Sequence, residues 1–273
     1  ATDVAITTGM NLPGDILFTN DAAIDSQVGE FNSLTLTAGL GAVRFNENLG
    51  EMQPLNRLTV TKADDGVVFG ETDIETPGTG AQGPVEIVAT DGPIAIGSSD
   101  VIDNGIRLNG GTEINGNSIT ITTTGDDVCF NGPVMLESLD VVITTGADQG
   151  GDIKFTNDAP IDSLDQSTNE RNNLTLTAGL GAVRFNENIG EVQSLGRLTI
   201  TKADAGVRFG EADNEIPNTG GQGPVEIVNV DNGLDIGSTD VIDSGIVLNG
   251  GSQGQITMST VHSAARFNGP VVL

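Results

Sequence analysis

Two sets of alternating acids, Glu71, Asp73 and Glu75, and Glu211, Asp213 and Glu215, are the residues of this chain best spaced for chemistry. On an extended strand the positions i, i+2 and i+4 face the same way, so each trio would present three carboxylates to one side. Oxygen-rich clusters of this kind suit Ca2+, which is the cofactor the sequence would take if it takes one. A solvated acidic loop reads the same, and the Ca2+-binding nonapeptide G-G-x-G-x-D is absent. Paired carboxylates also serve glycoside hydrolysis, and Asp64/Asp65 and Asp100/Asp103 are the other pairs. Asp65 is matched by Ala205 further along the chain, whereas Asp100 and Asp103 recur as Asp240 and Asp243, and no Trp or Tyr is present to form a sugar platform.

The remaining reactive side chains are few. His262 is the one histidine and aligns with Gly125, and Cys129 is the one cysteine and aligns with Arg266. One thiol cannot close an intrachain disulfide. A duplicated enzyme should duplicate its site, so the expectation is a protein that is not an enzyme and has no catalytic residue.

The chain carries a tandem duplication. Leu34–Asn48 reads LTLTAGLGAVRFNEN and returns unchanged as Leu174–Asn188; QGPVEIV recurs at Gln82–Val88 and Gln222–Val228, and DVID-x-GI-x-LNGG at Asp100–Gly111 and Asp240–Gly251. The offset is 137 or 140 residues, which divides the chain into modules 1–137 and 138–273.

Within each module apolar residues come as i, i+2 pairs, the mark of strands with one buried face. A second pair begins nine residues after the first: Leu34/Leu36 then Val43/Phe45, Leu58/Val60 then Val67/Phe69, Val85/Ile87 then Ile94/Ile96, Ile119/Ile121 then Val128/Phe130. A turn residue and a shorter apolar stretch follow, such as Val101-Ile102 or Val134/Leu136. The sub-repeats starting near Val4, Leu34, Leu58, Val85 and Ile119 fall in the period range of solenoids. The expected fold is therefore all-β: a parallel β-solenoid of two near-identical modules forming one continuous stack, about five coils each and a rod of roughly 50 Å at the usual strand spacing. Two tandem Ig-like β-sandwiches are the alternative. Leu34, Leu36, Phe45, Phe69, Phe130, Phe155, Phe185, Phe209 and Phe267 are the expected core. The pairs Thr35/Thr37, Thr59/Thr61, Thr120/Thr122, Thr175/Thr177 and Thr199/Thr201 should point outward, an arrangement that on a flat face would suit ice.

The motif L-T-[LVI]-T-x-x-x-G-x-V-x-F-[NG], at Leu34–Asn46, Leu58–Gly70 and Leu198–Gly210, resembles the β-strand repeats of very large bacterial surface and secreted proteins. Filamentous-haemagglutinin-like and autotransporter-like β-solenoids are examples. The resemblance implies an exported structural or adhesive protein, extracellular or at the cell surface, and names no ligand.

With 38 acids against 11 bases the formal charge is −27, which argues against nucleic acid as a partner. No apolar run is long enough to span a membrane, and no basic n-region followed by an apolar h-region opens the sequence, so a signal peptide is expected to be absent or already removed. Ala1–Ile6 aligns with Ser138–Ile143, a stretch that follows a preceding coil, and Phe267–Leu273 aligns with Phe130–Leu136, which leads into the next module. Both ends thus read as uncapped, with Val4, Ile6, Val271 and Leu273 at the edges. Heterologous ends that do not close make open filaments, so the expected partners are copies of the chain head to tail, with surface components or polysaccharide as further candidates. A stalk fragment of a giant adhesin fits the same letters.

Overall fold

A computed structural model describes residues 2–19, 21–70, 85–109, 118–164, 171–210, 225–250, 255–261 and 263–273. Among them every pairing between strands is parallel, which excludes the antiparallel sandwiches and makes the protein a parallel β-solenoid. The candidate cation ligands Glu71, Asp73 and Glu75, their repeats Glu211, Asp213 and Glu215, and His262 all lie outside the described residues.

The chain visits three faces in fixed order. On the first, second and third face in turn lie β1 (Val4–Thr7), β2 (Ile16–Phe18) and the single residue Ile24; β3 (Ser33–Gly39), β4 (Val43–Phe45) and Leu49; β5 (Arg57–Ala63), β6 (Val67–Phe69) and β7 (Ile87–Ala89); and β8 (Ile94–Ile96), β9 (Ile106–Leu108) and β10 (Ser118–Thr122). Bridges from Ile24 to Leu49 and from Leu49 to Val88 place the two single residues on the third face. β11 (Val128–Phe130) and β12 (Val134–Leu136) complete the first module on the first and second faces.

The second module then starts on the third face, not the first. β13 (Asp140–Thr144), the sequence counterpart of β1, pairs with β10. β14 (Ile153–Phe155) and β15 (Ile161–Ser163) follow on the first and second faces, then β16 (Asn173–Gly179), β17 (Ala182–Phe185) and Ile189; β18 (Leu198–Ala203), β19 (Gly206–Phe209) and β20 (Ile227–Val230); β21 (Leu234–Ile236), β22 (Ile246–Leu248) and β23 (Thr257–Thr260); and finally β24 (Ala265–Phe267) and β25 (Val271–Val272) on the third and first. Among the described residues each module fills fourteen face positions, twelve of them strands in the first module, so it makes four turns and two-thirds where about five were expected. Every equivalent residue in the second module therefore sits one face away from its twin. Ten strands on the first face span about 43 Å at the usual spacing.

Alternation sends one side of each strand inward, as in the buried, half-buried, buried pattern of β4, β9, β11, β12, β14 and β21. Leu34, Leu36, Phe45, Phe69, Phe130, Phe155, Phe185 and Phe209 are buried in one cluster that runs the length of the rod, and Phe267 is half-buried at its edge. Because register holds from coil to coil, like stacks on like. Phe18, Phe45 and Phe69 stack at 5.4 and 4.9 Å, and Phe130, Phe155, Phe185 and Phe209 at 5.3, 5.4 and 5.0 Å.

Three local readings differ from the alternation rule. Val85 and Val88 are buried while Ile87 is half-buried, so Val85/Ile87 is not an inward pair. The amides of Glu86 and Ile87 both donate to Asn48 Oδ1, at 2.9 and 3.1 Å, and this clamp resets the strand's phase. Ile102 is buried at a corner and Val101 half-buried; the strand of that coil is Ile106–Leu108. The outward threonines are divided between faces: Thr35 and Thr59 neighbour each other on the first, while Thr120, Thr175 and Thr199 lie on the third with Val142 interposed.

Candidate assembly interface

The joint between the modules is formed by the last three strands of the first and the first three of the second. Ile119 and Ile121 of β10 pair with Val141 and Ile143 of β13; Val128 and Phe130 of β11 with Ile153 and Phe155 of β14; Val134 and Leu136 of β12 with Ile161 and Ser163 of β15. The rings of Phe130 and Phe155 stack 5.3 Å apart and 14° from parallel. At the adjoining corner buried Asn131 donates from Nδ2 to the Gly97 carbonyl at 2.9 Å and accepts the Thr156 hydroxyl at 2.7 Å. The core, the ring stack and the Thr156–Asn131 hydrogen bond all cross the joint.

The sequence repeats both halves of this joint at the ends of the rod. β23, β24 and β25 correspond to β10, β11 and β12, and β1, β2 and Ile24 to β13, β14 and Ile161. Val4, Ile6, Val271 and Leu273 are 47, 36, 45 and 95% exposed, whereas their counterparts Val141, Ile143, Val134 and Leu136 are at most 1% exposed. Phe18 and Phe267, counterparts of Phe155 and Phe130, are likewise only partly buried.

The sides of the rod are charged, and Asp64, Asp65, Asp100 and Asp240 each hold a partner. Asp100 lies 2.6 Å from Lys62 Nζ and Asp64 3.2 Å from it, and the Asp100 carboxylate is the main cause that holds the lysine's pKa above its ordinary value. Asp240 and Asp204 stand 3.4 and 3.6 Å from Lys202 in the same way, and Asp65 accepts a hydrogen bond from Asn104 at 3.0 Å. Asp65, Asp100 and Asp240 thereby fasten neighbouring coils, whereas Asp64 and Asp204 pair with a lysine of their own coil. Lys154, Arg184 and Arg208 form an outward row on the first face, above Cys129, which is half-buried. Among the described residues no group of three or more His, Cys, Asp or Glu side chains is placed to hold a metal ion. No helix among the described residues is long and apolar enough to cross a membrane.

Glu187, at the corner after Phe185, departs from this pattern of paired acids. Burial, then the charges of Glu191, Asp158 and Glu226, push its pKa from 4.5 to about 6. A carboxyl whose folded pKa lies above its unfolded one binds its proton more tightly when folded, so stability rises as pH falls from 7 through 6 toward 4.5. A move of that size equals about 2 kcal/mol, of which roughly half is expected at a half-exposed, solvent-screened corner. Glu187→Gln should therefore stabilise the protein by about 1 kcal/mol at pH 7 and have little effect at pH 4.5. Thermal unfolding of both proteins at the two pH values checks this; a gap between them that does not change with pH would refute it.

Compared with protein-family models, with curated proteins and with solved structures, the chain gives no match in any of the three.

Proposed function

We propose that this protein is a structural rod, a subunit of an extracellular filament or surface fibre that lengthens by stacking solenoid modules head to tail. The observation that carries the reading is the internal joint, where one module sits on another with its core, ring stack and corner hydrogen bonds unbroken. The resemblance of the strand motif to repeats of large bacterial surface proteins supports the cell exterior. A charge of −27 opposes lateral clumping of rods.

Electron microscopy of the purified protein at rising concentration tests the proposal. Filaments that lengthen with concentration are expected; isolated rods about 43 Å long at every concentration would overturn it. Repeating the series with Ca2+ and with chelator asks whether the trios Glu71, Asp73, Glu75 and Glu211, Asp213, Glu215 bring a divalent cation into assembly. A second reading, a stalk segment of a long adhesin, is favoured by the fact that the joint seen here lies within one covalent chain. Isolated rods would support it.

A further inference from the structure

The geometry points to one particular joint between copies of this chain: the end formed by β23, β24 and β25 receives the end of a second copy formed by β1, β2 and Ile24, with that copy turned by one face. This inference rests on the filament reading and specifies its contact surface.

A three-faced coil ends as a staircase, each face one-third of a strand spacing above the last. The described residues fill twenty-eight positions, beginning and finishing on the first face, so the top steps are β23 on the second face, β24 on the third and β25 on the first. A second copy can be set on this staircase in three ways. With its first face over the first, β1 meets β25, but β2 and Ile24 stand one extra strand spacing, about 4.8 Å, above β23 and β24. With its first face over the third, one such gap is left. With its first face over the second, β1 lies on β23, β2 on β24 and Ile24 on β25, and all three faces close at one spacing. A gap of one strand would leave backbone N–H and C=O groups unpaired beside an apolar core, which is costly.

Side chains select the same setting. It places Val4 and Ile6 over Ile256 and Met258, Phe18 over Phe267, and the Thr19 hydroxyl beside the Asn268 side chain, the counterparts of Val141 and Ile143 over Ile119 and Ile121, of Phe155 over Phe130 and of Thr156 with Asn131. The short Phe18–Phe45–Phe69 stack is then extended by the ring below it. Each chain adds about 45 Å of rise, nine and one-third strand spacings, and three chains bring the faces back into line after about 134 Å apart from any overall twist of the coils.

Disulfide trapping tests the joint. Cys129 and Lys154 are paired outward residues at the internal junction, and their end counterparts are Arg266 and Leu17. Paired positions on adjacent strands lie about 4.8 Å apart, inside the span a disulfide tolerates. In a Cys129→Ser background, Arg266→Cys with Leu17→Cys is expected to give a ladder of covalent multimers under mild oxidation. The other two settings are reported by Val272→Cys with Ala5→Cys and by Arg266→Cys with Ala5→Cys. All of these side chains point outward at the ends, so folding is not at stake. A ladder from the first pair alone supports the joint. Association, seen by light scattering, with a ladder from either control pair or with none overturns the joint and leaves the filament reading standing. Absence of association in every variant overturns both.

Discussion

Replacing Phe155 by alanine is expected to cost about 3 to 5 kcal/mol, the range for truncating a buried aromatic residue, and to divide unfolding into two steps. Phe155 is 1% exposed and is stacked between Phe130 at 5.3 Å and Phe185 at 5.4 Å. It is the first ring of the second module, so its removal opens a hole where the modules meet. Stability in a solenoid is close to a sum of terms for each repeat and for each contact between neighbours. A loss at the joint therefore lowers the coupling that makes both modules unfold together. Phe45→Ala, within the first module and equally buried, should cost a similar amount while leaving the cooperative unit whole. Urea unfolding followed by circular dichroism separates the two: a lower midpoint for both variants, but a shallower or biphasic transition only for Phe155→Ala. If Phe155→Ala were neutral, the ring would not be inside the core.

What makes Phe155 legible is its spacing. The i, i+2 pairs identify inward positions on the strands of three residues or more in the body of the rod, the Val85/Ile87 strand and its repeat excepted, and the aromatic rows follow from register once coils stack. Two features escape that signal. Ile24, Leu49 and Ile189 occupy face positions as single residues, so no alternation marks them. The nine-residue interval between pairs is also the same whichever two faces it joins: Leu34/Leu36 and Val43/Phe45 lie on the first and second, whereas the identical Leu174/Leu176 and Val183/Phe185 lie on the third and first. Counting positions from pairing partners reveals the shift, and identical letters cannot.

The end strands are legible for a different reason. Sequence equivalence alone aligns Val4 and Ile6 with Val141 and Ile143, and Val271 and Leu273 with Val134 and Leu136. The setting of one end on another requires the number of face positions, which depends on single-residue bridges. The corner chemistry is half-visible: Asn and Gly after strand ends announce turns, but not that the Asn48 side-chain carbonyl gathers two amides from a strand 38 and 39 residues away and shifts its phase.

Gly70→Ala should rank with Phe155→Ala in effect, through the backbone instead of the core. Gly70 has φ +75°, and a Cβ built there would lie 1.9 Å from the Asn109 carbonyl oxygen of the next coil; Gly210 repeats the geometry with Asn249 at 2.0 Å. The positive φ costs an L-residue about 1 to 2 kcal/mol, and forced overpacking typically adds about 1 to 3, so about 2 to 5 kcal/mol is expected. The clash cannot relax cheaply, because Gly70 N donates to the Phe45 carbonyl at 2.6 Å and Asn109 N to the Phe69 carbonyl at 2.9 Å, fixing both coils at this corner. Gly29 supplies the control, with φ +80° and nothing within 4 Å of an added methyl. Gly29→Ala should carry only the conformational cost, and the excess in Gly70→Ala measures how closely successive coils are pressed together. Chemical unfolding of the two variants gives that difference directly. Equal losses would mean that the coils stand further apart at this corner, and an end joint that depends on every strand closing at one spacing would lose its basis.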